Sequence, residues 1–518
     1  MKEKSKEHGE KRFLFGLDRP KIEKLIHITS VVAAINHIMV SVWVIIYNIG
    51  VPSARGLDIY LCLFLIAELL LLFYYIRSHE ETWKQSIKAL FKSYFTKDQL
   101  LLSFLPVWYA MSLVVTLLLD GSIKNEDNLK FLLDIIINVF VIYPIGRYYF
   151  KNRISKLLEI VLHIVVIGMT CYIIYVLFHV FRGEVLTTYF RGKIGVLRLD
   201  CVDHIEYHLQ VNSHHNTTGA FAALFTLISI CMSVWKQGFF RIIYLCAAFI
   251  HGIALILSNS RSTFLSACVF ITLLLGVIIF FSVKHRFKDG KLVRGVITLV
   301  LVIAVFILLI MLRKAVFRIY ESCTSIQITE NVVIDGSRDV ISESVGVENI
   351  SRDLDVSNLM GREYIWAYAV EGMVISNRNL LVGVTPVGVG SVIYELSNGQ
   401  FSVYSHNQIL EIGLGLGAPA MIIFVFWLIL LANRCTMIGF ASEERMNLMQ
   451  RCIPLIVLFL VMFNMFEAIL FFYNTFVGGV FMLTAGWCFE AARFGNVAEN
   501  RRFMGILMRR KKIKKNII

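Results

Sequence analysis

Charge is scarce in this sequence. Only 17% of its 518 residues are Asp, Glu, Lys or Arg, against 57% hydrophobic, and mean hydropathy is +0.69. That balance excludes a water-soluble domain. The apolar runs are continuous rather than alternating, which excludes a transmembrane β-barrel, whose strands alternate outward and inward residues. Runs of about 20 apolar residues have instead the length of membrane-crossing helices. The ten cysteines contain no CxxC pair, so they offer no compact motif of that kind. The N-terminus lacks a secretory cleavage pattern; its basic stretch leads into a full-length apolar span, as in an uncleaved anchor. Internal repeats are absent as well.

What is present is an all-α polytopic membrane protein. Hydropathy predicts about 12 transmembrane helices, near 25–48, 57–76, 100–119, 131–150, 157–181, 214–235, 242–258, 263–283, 295–312, 408–432, 452–470 and 474–492. With the N-terminus inside, the inner segments hold about 36 of the 51 Lys and Arg. The formal charge of +14 is therefore a topology signal plus attraction to anionic lipid headgroups, and it does not point to nucleic acid. Both termini are expected in the cytoplasm. The chain divides into a basic tail (1–24), an N-terminal membrane bundle with an outer loop (25–212), and helices around Arg261 (213–312). A long extracytoplasmic loop (313–405), C-terminal membrane helices (406–492) and a second basic tail (493–518) follow.

Several polar residues interrupt this pattern. Glu68 lies inside the second span, where an ionisable group is costly; a buried structural carboxyl accounts for it as well as a functional one. Cys201 and Cys323 fall in expected outer loops, where a disulfide is conceivable on location alone. Residues 321–360 are rich in Ser, Asp, Glu and Asn and read as a mobile surface insertion. From Arg362 a helix is expected with Ile365, Trp366, Ala369, Val370 and Met373 on one face, lying on the membrane or capping the bundle. Gly383-Val384-Thr385-Pro386-Val387-Gly388-Val389-Gly390 lacks the Lys-Ser/Thr of a phosphate loop and reads as a turn permitting close backbone approach.

Chemistry is suggested at three places expected on one membrane face. Ser405-His406-Asn407-Gln408 fits a capping box with Ser405 as N-cap, which puts His406 in the first turn of a membrane helix. A helix N-terminus favours an anionic substrate and a neutral imidazole, the form a general base needs; the competing reading is a solvated interfacial histidine. Arg261 sits in Ser258-Asn259-Ser260-Arg261-Ser262-Thr263, a polar break in about 40 apolar residues. Its guanidinium can grip phosphate bidentately or simply snorkel to headgroups. Arg362 opens the loop helix. His214-His215-Asn216 begins another outer helix end. His204 and His208, with Glu206 between them, are a remote metal possibility, and nothing else fits a metal motif. His251 reads as a hydrogen-bonded packing residue. Glu411 and Glu467, near outer span ends, can orient a neighbour or act as bases.

In order along the chain, Asn259-Ser260-Arg261-Ser262, Arg362…Trp366, Gly383…Gly388…Gly390 and Ser405-His406-Asn407…Leu410-Glu411…Gly415…Gly417 resemble the O-antigen ligase and O-antigen polymerase family of bacterial envelope glycosyltransferases. The resemblance covers roughly 211–430. It implies a GT-C-like fold in the bacterial cytoplasmic membrane and a polyprenyl-diphosphate-linked glycan donor. It also implies a glycan or anchor acceptor, and neither cofactor nor essential metal. On this resemblance Arg261 and Arg362 hold the diphosphate and His406 activates or orients the acceptor. Asn407, Glu411, His214, His215, Asn216 and Trp366 then line the substrate. Ligase and polymerase share this donor chemistry, and the residues do not separate them. The competing class is a transporter or flippase for a lipid-linked or small anionic substrate. Such folds show related halves and midplane sites, which this sequence lacks. Oligomeric state is not written in it.

Overall fold

The computed structural model describes residues 88, 96–120, 127–144, 146–147, 156–182, 186–187, 193–201, 204–211, 215–283, 290–323, 330–334, 337–341, 362–401, 404–439, 448–468, 470–471 and 477–493. The first two expected spans, Glu68, His214 and both basic tails lie outside them. Among the described residues six helices are long and apolar enough to cross a membrane, and the chain is a multi-pass helical membrane protein.

In chain order the helices are α1 (Lys97–Asp120), α2 (Asp127–Ile137) running into a π-turn (Asn138–Ile142), α3 (Lys156–Phe181), α4 (His215–Trp235), α5 (Phe239–Leu257), α6 (Arg261–Ser282) and α7 (Lys291–Cys323). Then come the short helices α8 (Arg362–Val374), α9 (Asn377–Val382), α10 (Val389–Leu396) and α11 (Gln408–Leu416), followed by α12 (Ala418–Gly439) and α13 (Leu448–Phe463). A final helix covers 477–493. Each long helix follows an apolar run, because a backbone in hydrocarbon must satisfy its own hydrogen bonds. Two small antiparallel sheets were not anticipated: Leu186–Thr187, Lys193–Cys201 and His204–Val211 form one, and Glu330–Ile334 with Ser337–Ile341 form a hairpin. The first removes the remote metal possibility. His204 and His208 lie on one strand, where a rise of about 3.3 Å per residue sets them some 13 Å apart. Cys323, at the end of α7, carries a free thiol.

Two other boundaries move. The expected span 408–432 is broken at Gly417, whose φ of +87° ends α11 before α12 begins. α7 does not stop at 312 but continues through Arg313 to Cys323, so the loop begins later than 313. His251 is buried, stacks on Phe225 and meets Thr170 Oγ1 at 3.2 Å, as a packing residue should.

α1 gives the molecule its two ends. At one, Asp98 accepts from Tyr143 (2.6 Å) and Arg493 (2.5 Å), while Arg147 reaches Thr96 and Glu490. At the other, Asp120 holds Arg378 of α9 with two hydrogen bonds of 3.0 and 2.9 Å. Between them, Trp108 Nε1 donates to the Leu416 carbonyl and Ser112 Oγ to the Val382 carbonyl, each at 2.8 Å. The layer α8–α11 is therefore seated on the Asp120 end of the bundle. It has its own small core of Ile365, Ala369, Met373, Val389, Ile393 and Leu414. Val370 is 44% exposed, so the buried face of α8 is narrower than its sequence suggested, with Gly372 taking part instead.

The glycine-rich turn makes the close approach its sequence suggested. The N–H groups of Val384 and Thr385 donate to the carbonyls of Leu414 and Gly415 at 3.0 and 2.9 Å. These are carbonyls at the C-terminal end of α11, which lack partners inside their own helix. A Cβ on Gly383, at φ +80°, would meet the Gly415 oxygen at 2.3 Å.

Candidate active site

The segment before α11 determines the site. Asn407, not Ser405, is the N-cap: its Oδ1 accepts from the backbone N–H of Ile409 (2.9 Å) and Leu410 (3.2 Å). Both residue types cap helices well, and the local sequence did not separate them. Ser405 is bound elsewhere. Its Oγ donates to Glu411 Oε2 at 2.7 Å, and its N–H reaches the same oxygen at 2.8 Å. Glu411 thus braces the turn. His406 then precedes the helix with φ +51° rather than occupying its first turn. A non-glycine residue there costs on the order of 1–3 kcal/mol, a strain found most often at functional positions.

A second turn, just beyond α13, is zipped to this one. The Gln408 N–H donates to the Asn464 carbonyl (2.9 Å), Asn407 Nδ2 to the Met465 carbonyl (3.1 Å) and the Leu470 N–H to Gln408 Oε1 (2.9 Å). This pairing places Glu467 beneath His406.

Glu467 is the hub. Its Oε1 accepts from Arg362 Nη2 at 2.8 Å and Asn216 Nδ2 at 2.5 Å. Its Oε2 accepts from the Tyr404 hydroxyl at 2.8 Å and lies 3.1 Å from His406 Nδ1. The carboxylate is fully buried. Burial pushes its pKa up, but hydrogen bonding and charge from His406, then Arg362 and Tyr404, outweigh that and hold it below the usual carboxylate value. A carboxylate only accepts, so Nδ1 of His406 carries a proton directed at Glu467. Tyr404 stacks beside His406 with ring centroids 4.3 Å apart; burial and the Glu467 charge push its phenol well up, so it stays a donor.

The arginine turn joins through Asn216, whose Oδ1 accepts from Ser260 Oγ at 2.7 Å. Ser260 in turn meets Thr263 Oγ1 at 2.8 Å and directly precedes Arg261, which starts α6. Arg362, His406 and Asn216 therefore share one carboxylate, and the backbone of Arg261 stands one residue from the same network. His215 is buried beside Asn216 at the start of α4. Trp366, one residue type chosen for substrate contact, has its ring 6.4 Å from Phe466, next to the hub. Among the described residues its buried Nε1 has no hydrogen-bond partner.

Sequence reasoning gives Glu467 and Tyr404 too little weight. The available signal was an ionisable side chain at a membrane helix end; its partners lie 61 to 251 positions away, beyond any local pattern. Arg313 was missed altogether. It sits buried within α7 and donates from Nη2 to Asn259 Oδ1 at 2.8 Å.

No curated protein matches the chain. Residues 246–425 match the family model Wzy_C, O-antigen ligase. That stretch contains Arg261, Arg362 and His406, whereas Asn216 and Glu467, which tie these elements together, fall outside it. Over that stretch the chain is similar to the O-antigen ligase family.

Proposed function

We propose that the protein is a membrane glycosyltransferase. It transfers or polymerises a polyprenyl-diphosphate-linked oligosaccharide at the outer face of the bacterial cytoplasmic membrane, in cell-surface polysaccharide assembly. The observation that carries this reading is the buried Glu467 carboxylate gathering Arg362, His406 and Asn216 at one end of the bundle. A transporter site would instead lie near the midplane. The fold is read as GT-C-like, with the Asp120 end outward and both termini in the cytoplasm.

The chemistry follows from the donors and acceptors present. The acceptor hydroxyl gives its proton to His406 Nε2 as its oxygen attacks the anomeric carbon. The bond from that carbon to the diphosphate oxygen breaks, and the electron pair leaves with the polyprenyl diphosphate. Glu467 holds the imidazole by Nδ1–H and stabilises its cation. Arg362 uses one of five N–H donors on Glu467 and has others to offer a phosphate. Arg261 is the second guanidinium on the leaving group, whose growing charge it stabilises. Asn407, Glu411, His214, His215, Asn216 and Trp366 shape the substrate's surroundings. No metal or cofactor enters this scheme.

Donor binding measured beside glycan transfer tests it. Arg261→Ala is expected to weaken donor binding and turnover together, since a guanidinium contacts the diphosphate before and during transfer. His406→Ala is expected to leave binding intact and lower turnover by about 10²–10⁴. Transfer at the parental rate by His406→Ala would refute the assignment. An acceptor assay with purified repeat-unit lipid separates ligase from polymerase.

A further inference from the structure

Arg313 is a charged group that the scheme above leaves unused, yet its position in α7 is a costly one. It is 5% exposed in α7, next to Lys314 and between two aromatic rings. An ionisable side chain there is retained against a desolvation cost. Its guanidinium centre lies 5.6 Å from the Phe264 ring and 5.5 Å from the Phe317 ring, and Nη2 donates to Asn259 Oδ1 at 2.8 Å. A planar cation can stack on aromatic faces and donate in its plane at once, which lysine cannot do. The residue it grips is unusual too. Asn259 is buried and has φ +54°, directly after the C-terminal end of α5. A positive charge is favoured at such an end. The next residue, Ser260, bonds Asn216 of the Glu467 network, and the one after it is Arg261.

We propose that Arg313 is a positioning residue: by clamping Asn259 it fixes the turn that presents Arg261 to the donor diphosphate. The inference rests on the role given to Arg261 above. Asn259 anchors one side of the turn to α7 and Ser260 anchors the other to α4, so Arg261 leaves a segment held at two points. Releasing one of them lets the guanidinium wander, and a bidentate phosphate grip tolerates little displacement.

The experiment is a double-mutant cycle on full-length protein in detergent, with a polyprenyl diphosphate as the binding probe. Arg313→Gln removes the clamp from one side. Asn259→Gly removes it from the other while keeping the left-handed backbone open, and it decides the matter should Arg313→Gln fail to accumulate in membranes. Each is expected to weaken probe binding about tenfold in the parental background and to change it by less than about twofold when Arg261 is already alanine. Arg313→Lys is expected to recover only part of the loss. Equal losses with and without Arg261 would overturn the proposal, because a merely structural brace would act regardless of that side chain. Parental binding by both single variants would overturn it as well. If Arg261→Ala alone leaves probe binding unchanged, it is the diphosphate role of Arg261 that fails, and this inference falls with it.

Discussion

At the scale of single residues, the site is organised by one carboxylate, which holds Arg362, His406, Tyr404 and Asn216. Removing its charge should therefore disturb them together. Glu467→Gln keeps the shape and is expected to lower glycan transfer by roughly 10²-fold, since neither His406 nor Arg362 would face an anion during turnover. Its pH behaviour has a definite sign. The Glu467 pKa is held below its ordinary 4.5, so its contribution to stability is fully present above that value. It is lost as pH falls through the lower, folded-state value. The melting temperature of the purified protein is expected to drop on acidification below about pH 4.5, and Glu467→Gln should flatten that part of the profile. An unchanged acid slope would show that the carboxylate is not held as described. Much at this scale was legible in sequence: Arg261, Arg362, His406 and Asn407 all stand out as polar residues at apolar boundaries. The hydrogen bond from Asn216 to Glu467 was not, because it joins positions 251 apart. The choice of Asn407 over Ser405 as cap depends on Glu411 occupying the serine, again a contact that a local pattern of capping residues does not reveal.

At the scale of elements, the short helix α11 is set by backbone packing against the glycine-rich turn. Gly383 and Gly417 both have positive φ, and a Cβ on either would strike a backbone oxygen, of Gly415 at 2.3 Å and of Leu381 at 2.5 Å. Gly417→Ala or Gly383→Ala is expected to cost roughly 2–3 kcal/mol or more, from strain and overpacking together. Gly252→Ala is the control. It lies in α5, a Cβ there meets nothing within 4 Å, and the change should be neutral or slightly stabilising. Thermal unfolding in detergent distinguishes the two classes; equal melting temperatures would remove the argument for a backbone-locked α11. The long helices followed from apolar length alone. The break between α11 and α12 did not, because Gly417 lies in an uninterrupted apolar stretch. Only its positive φ, at a site where the Leu381 carbonyl leaves no room for a Cβ, reveals two helices where hydropathy shows one.

At the scale of the whole molecule, α1 separates an end holding Asp98, Arg147, Glu490 and Arg493 from an end where Asp120 holds Arg378 of the α8–α11 layer. The topology proposed above puts the first in the cytoplasm. Cysteine probes placed near residue 290 should resist an impermeant reagent added from outside, and probes near residue 340 should react with it. The reverse pattern would invert the molecule and remove the candidate site from the face where a lipid-linked glycan is used. The length of α7 adds a further consequence. Its 33 residues span about 50 Å, against a hydrocarbon thickness of about 30 Å. Arg313 is level with the Asn259 turn, so the helix from there to Cys323 rises about 15 Å beyond the arginine turn. Beside the site it forms a parapet. A sugar chain or acceptor reaching the arginine turn cannot come through the flank that this helix occupies.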